Sequence, residues 1–154
     1  MTEKLIILNG PNLNLLGERE PEIYGTTTLA AIEDNCQKLA GELGLELDFL
    51  QSNFEGELVT WIQEARKSTD GLIINPAGYS FHSVPILDAL KLYQKPIIEV
   101  HLSNIHARDE HHRNSILSSV ASGVICGLGA YGYELAISSI KEILGSAKNN
   151  KSNI

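Results

Sequence analysis

Glu99 and His101 stand two residues apart at the end of an apolar run, Pro96-Ile97-Ile98-Glu99-Val100. On a strand, side chains at i and i+2 share one face. A carboxylate beside an imidazole fixes its tautomer and can hold it protonated, which makes a general acid. An incidental surface ion pair would show the same spacing. Tyr24 lies in a polar segment with Arg19 and Gly25, stiffened by Pro21. A phenol near a guanidinium in a closing lid is a candidate base, because a cation favours the phenolate. The competing reading is an exposed loop tyrosine packed on the surface. The connection that carries it, Gly10 to Thr26, is several times longer than the roughly 2–6 residues usual between a strand and a helix.

Further polar residues collect in four short stretches. They are Asn9-Gly10-Pro11-Asn12-Leu13-Asn14, Gln51-Ser52-Asn53, Asn75-Pro76-Ala77-Gly78 and Glu99-Val100-His101-Leu102-Ser103-Asn104. Any one of them could be an ordinary turn. Each, however, follows a strand-like run. Leu5–Leu8, Leu72–Ile74, Pro96–Val100 and Gly123–Cys126 read as buried strands, and Leu45–Leu50 alternates like a strand with one solvated face. Helical spacing lies between them: Leu29, Ile32, Cys36, Leu39 and Leu43; then Leu58, Trp61, Ile62 and Ala65; then Val84, Leu87, Leu90 and Leu92; finally Leu135, Ile140, Ile143 and Leu144. Thr26 to Thr28 offer an N-cap to the first helix and Gly44 a stop. Strands alternating with helices imply right-handed crossovers and a parallel sheet covered on both faces. Five strands fit an α/β, flavodoxin-like order 2-1-3-4-5. Ligands of such sheets bind outside the carboxyl ends of the strands, where the four polar stretches would meet.

The remaining composition narrows the function. The chain has 154 residues and no repeat or linker, so one domain spanning 1–154 is expected, with residues 145–154 a frayed polar tail. A formal net charge of -7 argues against nucleic acid or an anionic membrane as partner, though not against a small anion in a local basic pocket. Cys36 and Cys126 fit small buried apolar residues better than a disulfide or a metal pair, which suggests a reducing compartment. With no signal-like start and no apolar run of about 18 residues, the cytoplasm is the expected location. His106, His111 and His112 are spaced H-x4-H-H, which matches no zinc signature. Neither a G-x-G-x-x-G turn nor a phosphate loop is present, so no metal and no nucleotide cofactor is expected.

At this point the motifs resemble a known family. Leu8-Asn9-Gly10-Pro11-Asn12-Leu13-Asn14-Leu15-Leu16-Gly17 and Arg19-Glu20-Pro21-Glu22-Ile23-Tyr24-Gly25 closely resemble type II 3-dehydroquinate dehydratases. So do Gln51-Ser52-Asn53 with Glu55-Gly56, Asn75-Pro76-Ala77, Glu99 to Asn104 with His106-Ala107-Arg108, and Gly123 to Gly127. The likeness runs essentially from residue 4 to 145. It implies dehydration of 3-dehydroquinate, a cyclic hydroxy-keto carboxylate, to 3-dehydroshikimate in the shikimate or quinate pathway. It also implies a homododecamer built as a tetramer of trimers, and no cofactor. By resemblance Tyr24 is the base, Arg19 the lid arginine and His101 the general acid with Glu99 as its partner. Asn12 stabilises the enolate through water. Asn75 and the backbone of Leu102 and Ser103 hold the substrate carboxylate, and Asp88 reaches a neighbouring subunit's site.

Two positions depart from the family pattern. His-Thr-Ser-Val is replaced by Phe81-His82-Ser83-Val84, and the arginine four residues after Arg108 is replaced by His112, with Arg113 next. His82 and Arg113 are therefore expected to reach the ring-hydroxyl end of the site, each one step along. The alternative is that His82 faces solvent or an interface and Arg113 pairs with Asp109 or Glu110. Two other functions stay open: a relative with the same base and acid acting on a related cyclic hydroxy-keto acid, and a non-catalytic flavodoxin-like binding module. Retention of Arg19, Tyr24, Glu99 and His101 argues against the latter.

Overall fold

The computed structural model describes residues 1–18 and 20–152. Five strands form one parallel sheet: β1 (Lys4–Asn9), β2 (Glu46–Gln51), β3 (Gly71–Asn75), β4 (Ile97–His101) and β5 (Gly123–Cys126). Their spatial order is β2-β1-β3-β4-β5, the expected order. The helices are α1 (Pro21–Tyr24), α2 (Leu29–Glu42), α3 (Glu55–Ser68), α4 (Val84–Lys91) and α5 (Tyr131–Ser152).

Strand residues alternate between two cores, as a period of two requires. Leu5, Ile7, Ile73 and Val100 pack with Ile32, Cys36 and Ala40 of α2 and with Tyr133, Ala136, Ile137 and Ile140 of α5. Ile6, Leu8, Leu72 and Ile74 pack on the other face with Leu58, Ile62 and Ala65 of α3 and Ile86, Ala89 and Leu90 of α4. β3 and β4 are buried along their whole length, which is why they read as apolar runs, broken only by the functional residues Asn75, Glu99 and His101. The edge strand β2 keeps its alternation, with Glu46 and Asp48 outward. Thr28 caps α2 by accepting from the Ala31 N–H at 3.2 Å, and Gly44 follows the helix with φ 71. Cys36 is buried and Cys126 half-buried, both as free thiols; burial pushes the Cys36 thiol up to about 12.

The tail expected to fray at residues 145–154 is helical as far as it is described, and residues 153–154 lie outside the described residues. From residue 145 the chain continues as the last turns of α5, up to Ser152. The residues after Gly145 carry no helix breaker. Lys141 and Lys148 also reach Glu3, at 3.4 and 3.3 Å, and tie the helix to the start of β1.

Register sets the height of the functional residues. Asn9 is level with Gln51 on one side and with Asn75 on the other. Glu99 is level with Ile74, so His101 projects one residue beyond the end of β3. Just past β1, Gly10 donates its N–H to the Asn75 carbonyl at 2.8 Å. A Cβ at Gly10 would lie 2.4 Å from the Pro76 carbonyl oxygen, which is backbone and cannot swing aside. Gly10→Ala should therefore force the first and third loops apart. We expect a loss of about 1–3 kcal/mol in urea unfolding, typical of overpacking, together with a fall in activity. Unchanged stability would contradict the close approach.

Candidate active site

A cavity of about 220 Å³ opens at the carboxyl ends of the strands. Its wall is built by three of the four polar loops. Pro11, Asn12, Leu13 and Leu16 come from the loop after β1; Asn75, Ala77, Gly78 and Phe81 from β3 and the turn behind it; His101 to Ser103, Ile105, Arg108 and His112 from β4 and its loop. Tyr24 completes the lining from the long connection. The fourth loop, after β2, braces the first instead of lining the cavity. Gln51 Nε2 donates to the Gly10 carbonyl at 3.2 Å, and Asn53 Oδ1 accepts from the Asn12 N–H at 3.0 Å. That grip holds Asn12 in a left-handed conformation, φ 69, which asparagine tolerates better than most residues.

Tyr24 is the last residue of α1. Pro21 opens this single turn at a position where its missing N–H costs nothing, and Gly25, φ 81, closes it. Tyr24 is half-buried and packs against the core on this side of the sheet. The Arg108 guanidinium lies 5.5 Å from its centroid. This puts a cation beside the phenol from the β4 loop. Arg19, the cation expected there from the sequence, lies outside the described residues.

Glu99 and His101 form a buried pair on one face of β4, as their spacing predicts. Glu99 Oε2 and His101 Nε2 are hydrogen-bonded. The second oxygen, Oε1, accepts from the Ser118 hydroxyl at 2.8 Å. Burial pushes the Glu99 carboxyl up, but hydrogen bonding and charge from His101, with hydrogen bonds from Ser115 and Ser118, outweigh it and leave Glu99 below the ordinary carboxylate range. The pair is therefore carboxylate with imidazole N–H. The other ring nitrogen, Nδ1, is the one left for a ligand in the cavity that His101 lines.

Asn75 is oriented by partners that the sequence reading missed. Its Nδ2 donates to the Tyr133 hydroxyl at 2.8 Å, its Oδ1 accepts from the Ala77 N–H at 3.2 Å, and Tyr133 in turn donates to Asn9 Oδ1 at 2.7 Å. Tyr133 is fully buried, and burial pushes its phenol up, so it stays a neutral hydroxyl. One N–H of Asn75 remains for a ligand. Nothing in the spacing of α5 marks Tyr133; only its buried hydroxyl against two strand-end amides does. Ala77, φ 52, is held in the left-handed region beside the cavity, a strained state for a residue with a Cβ.

The two displaced residues do not go where they were expected. His82 is exposed and absent from the lining, whereas Phe81 lines the cavity. The 3-10 turn Ala77–Phe81 ends by directing Phe81 inward and leaves His82 outside. Arg113 lines a separate cleft with His106, Asn114, Ser115 and Ser118, and its Nε donates to the Arg108 carbonyl at 2.5 Å. His112 faces the cavity instead, at the end of the turn Glu110–His112 that Asp109 caps. Asp109 grips the His112 Nδ1 at 2.8 and 2.9 Å. Asp88 stands exposed on α4, 3.9 Å from Lys91, away from this chain's cavity. Among the described residues no group of three or more His, Cys, Asp or Glu side chains could hold a metal ion, and no helix is long and apolar enough to cross a membrane.

Known proteins share this fold and much of this sequence. The family described as Dehydroquinase class II matches residues 3–141. A 3-dehydroquinate dehydratase of Brucella canis is 52% identical over 154 residues, covering 100% of this chain and 98% of the relative. The crystal structure of a type II dehydroquinase from Propionibacterium acnes superposes with a TM-score of 0.88 at 43% identity, over 92% of this chain and 98% of the other. One from Butyrivibrio crossotus gives 0.88 at 38% identity, over 90% and 97%. With its strand order, its buried Glu99–His101 pair and a match over nearly its whole length, this chain belongs to the class II dehydroquinase family.

Proposed function

We propose that this protein dehydrates 3-dehydroquinate to 3-dehydroshikimate. The observation that carries the reading is the buried Glu99–His101 pair facing the same cavity as Tyr24 and Asn12. The reaction needs a base for a proton α to a ketone, a stabiliser for the enolate, and an acid for the departing hydroxyl. Tyr24, as phenolate, takes the α-proton, and the electrons move into the carbonyl. Asn12, through a water, stabilises the oxyanion that forms. The enolate then collapses, the C–O bond breaks, and His101 Nδ1 gives its proton to the hydroxyl, which leaves as water. The Glu99 carboxylate opposite Nε2 stabilises the imidazolium before that transfer. Asn75 and the backbone N–H groups of Leu102 and Ser103 suit the substrate carboxylate. Arg19 belongs to the lid in this reading, and a closed lid strengthens each interaction by excluding water.

The same reading makes the chain a single catalytic domain, cytoplasmic, assembled as a tetramer of trimers. Exposed Val84 and Leu92 flanking α4, and Val124, Leu128 and Tyr131 near β5, supply apolar surface for such contacts. Asp88, on the outer face of α4, would then reach a neighbour's cavity. Mixing the protein with 3-dehydroquinate should raise the absorbance of a conjugated enone, with chelators without effect. No absorbance change at saturating substrate would favour the binding-module alternative.

A further inference from the structure

The cavity wall between the acid and the β4 loop has an uneven chemistry. His101 spends Nε2 on Glu99 and keeps Nδ1 for the leaving hydroxyl. His112 spends Nδ1 on Asp109 and keeps one ring nitrogen. The Phe81 ring neighbours both, its centroid 6.5 Å from that of His101, near parallel at 28°, and 5.5 Å from that of His112, edge-on at 78°. On this wall a ligand meets two imidazoles and one hydrocarbon surface. 3-Dehydroquinate keeps two ring hydroxyls through the reaction. A ring seated with its leaving hydroxyl at His101 Nδ1 has Phe81 and His112 as the next side chains along the lining. His112 can serve one of the retained hydroxyls. The other, pressed on Phe81, loses its water and gains no partner, which penalises it.

We propose that Phe81 is a specificity-determining residue: the site does not recognise the ring hydroxyl that faces it, and it turns over cyclic hydroxy-keto acids lacking that hydroxyl as efficiently as 3-dehydroquinate. The inference rests on the dehydratase reading above and names the substrate class that reading admits. Sites that hydrogen-bond a hydroxyl reject the analogue without it, whereas an apolar wall discriminates weakly.

The test uses 3-dehydroquinate and its two ring-deoxy analogues, each lacking one of the retained hydroxyls. For each, kcat/KM is measured with the wild-type protein, Phe81→Leu and Phe81→His. Phe81 is only half-buried, so both variants should fold. The readout is the ratio between substrates, which general damage to the fold would not move. In the wild type, one analogue should fall within about threefold of 3-dehydroquinate or exceed it, while the other falls behind. Phe81→Leu should leave that ratio alone. Phe81→His should lower the favoured analogue against 3-dehydroquinate by about tenfold, an order typical of one regained hydrogen bond. Wild-type values tenfold or more below 3-dehydroquinate for both analogues would overturn the proposal, as would an unchanged ratio in Phe81→His. If none of the three compounds is turned over, the dehydratase reading falls, and this inference with it.

Discussion

Tyr24→Phe should lower kcat by about 10²–10⁴-fold, the range that a positioned proton-transfer group contributes. KM should change little, because the ring that lines the cavity remains. The Tyr24 ring packs on the core and under Arg108 through its faces, and phenylalanine keeps both contacts. The thermal midpoint should therefore fall less than in Tyr24→Ala, which loses both contacts. Single-turnover measurement of enone formation separates this outcome from slow product release. A variant that keeps more than about a tenth of the parent kcat, against that range, would remove Tyr24 from the role of base. Arg108→Ala provides a second view. If the guanidinium 5.5 Å from the ring offsets charge on the phenol oxygen, its loss should slow the same step without touching the acid.

His101→Ala should produce a loss of similar size, about 10²–10⁴-fold in kcat, with an added cost that Tyr24→Phe lacks. It leaves the Glu99 carboxylate buried with only serine hydroxyls as partners. Breaking a buried charged pair on one side typically costs about 3–5 kcal/mol of stability. Glu99→Gln removes the charge but keeps the shape, so it should slow turnover less than His101→Ala and destabilise less. The pH dependence gives an independent check. Glu99 titrates lower in the folded chain than its ordinary 4.5. Its contribution to stability is therefore fully present above the unfolded value and is lost as pH falls through the folded one. Acid unfolding of Glu99→Gln should be shallower than that of the parent in that window. A shallower acid profile in Glu99→Gln, with turnover unaffected in both variants, would mean that the pair is merely structural.

The sheet was readable because buried parallel strands are mostly apolar, the edge strand β2 alternates, and the helices keep a period near 3.6. These signals are local. The Glu99–His101 pair was readable for the same reason, since strand geometry alone puts i and i+2 side by side. The inward choice between Phe81 and His82, and between His112 and Arg113, was not. Each choice is made by a short 3-10 turn, the first following Pro76 without a capping side chain and the second capped by Asp109 on His111. A shift of one residue there exchanges inside for outside, and no periodicity spans so short an element. Tyr133 was hidden differently. Its hydroxyl meets Asn9 and Asn75 across 124 and 58 positions of sequence, contacts that only the finished fold creates. The last turns of α5 were misjudged because polar composition looks like a tail until Lys141 and Lys148 are seen to meet Glu3.

That meeting of the first and last segments has a consequence for synthesis. β1 occupies the interior of the sheet, yet one of its faces is shared by α2 and α5, and α5 is made after every other described element. Leu5 and Ile7 meet α2 early but wait for the α5 part of their cover while most of the chain is made, on the order of ten seconds at ordinary elongation rates. The nascent protein must therefore carry an unfinished apolar surface that neighbouring ribosomes on the same message could share. A circular permutant joining residue 1 to the end of α5 and opening the exposed Gly41–Gly44 turn would shorten that wait, since α5 would then precede β1.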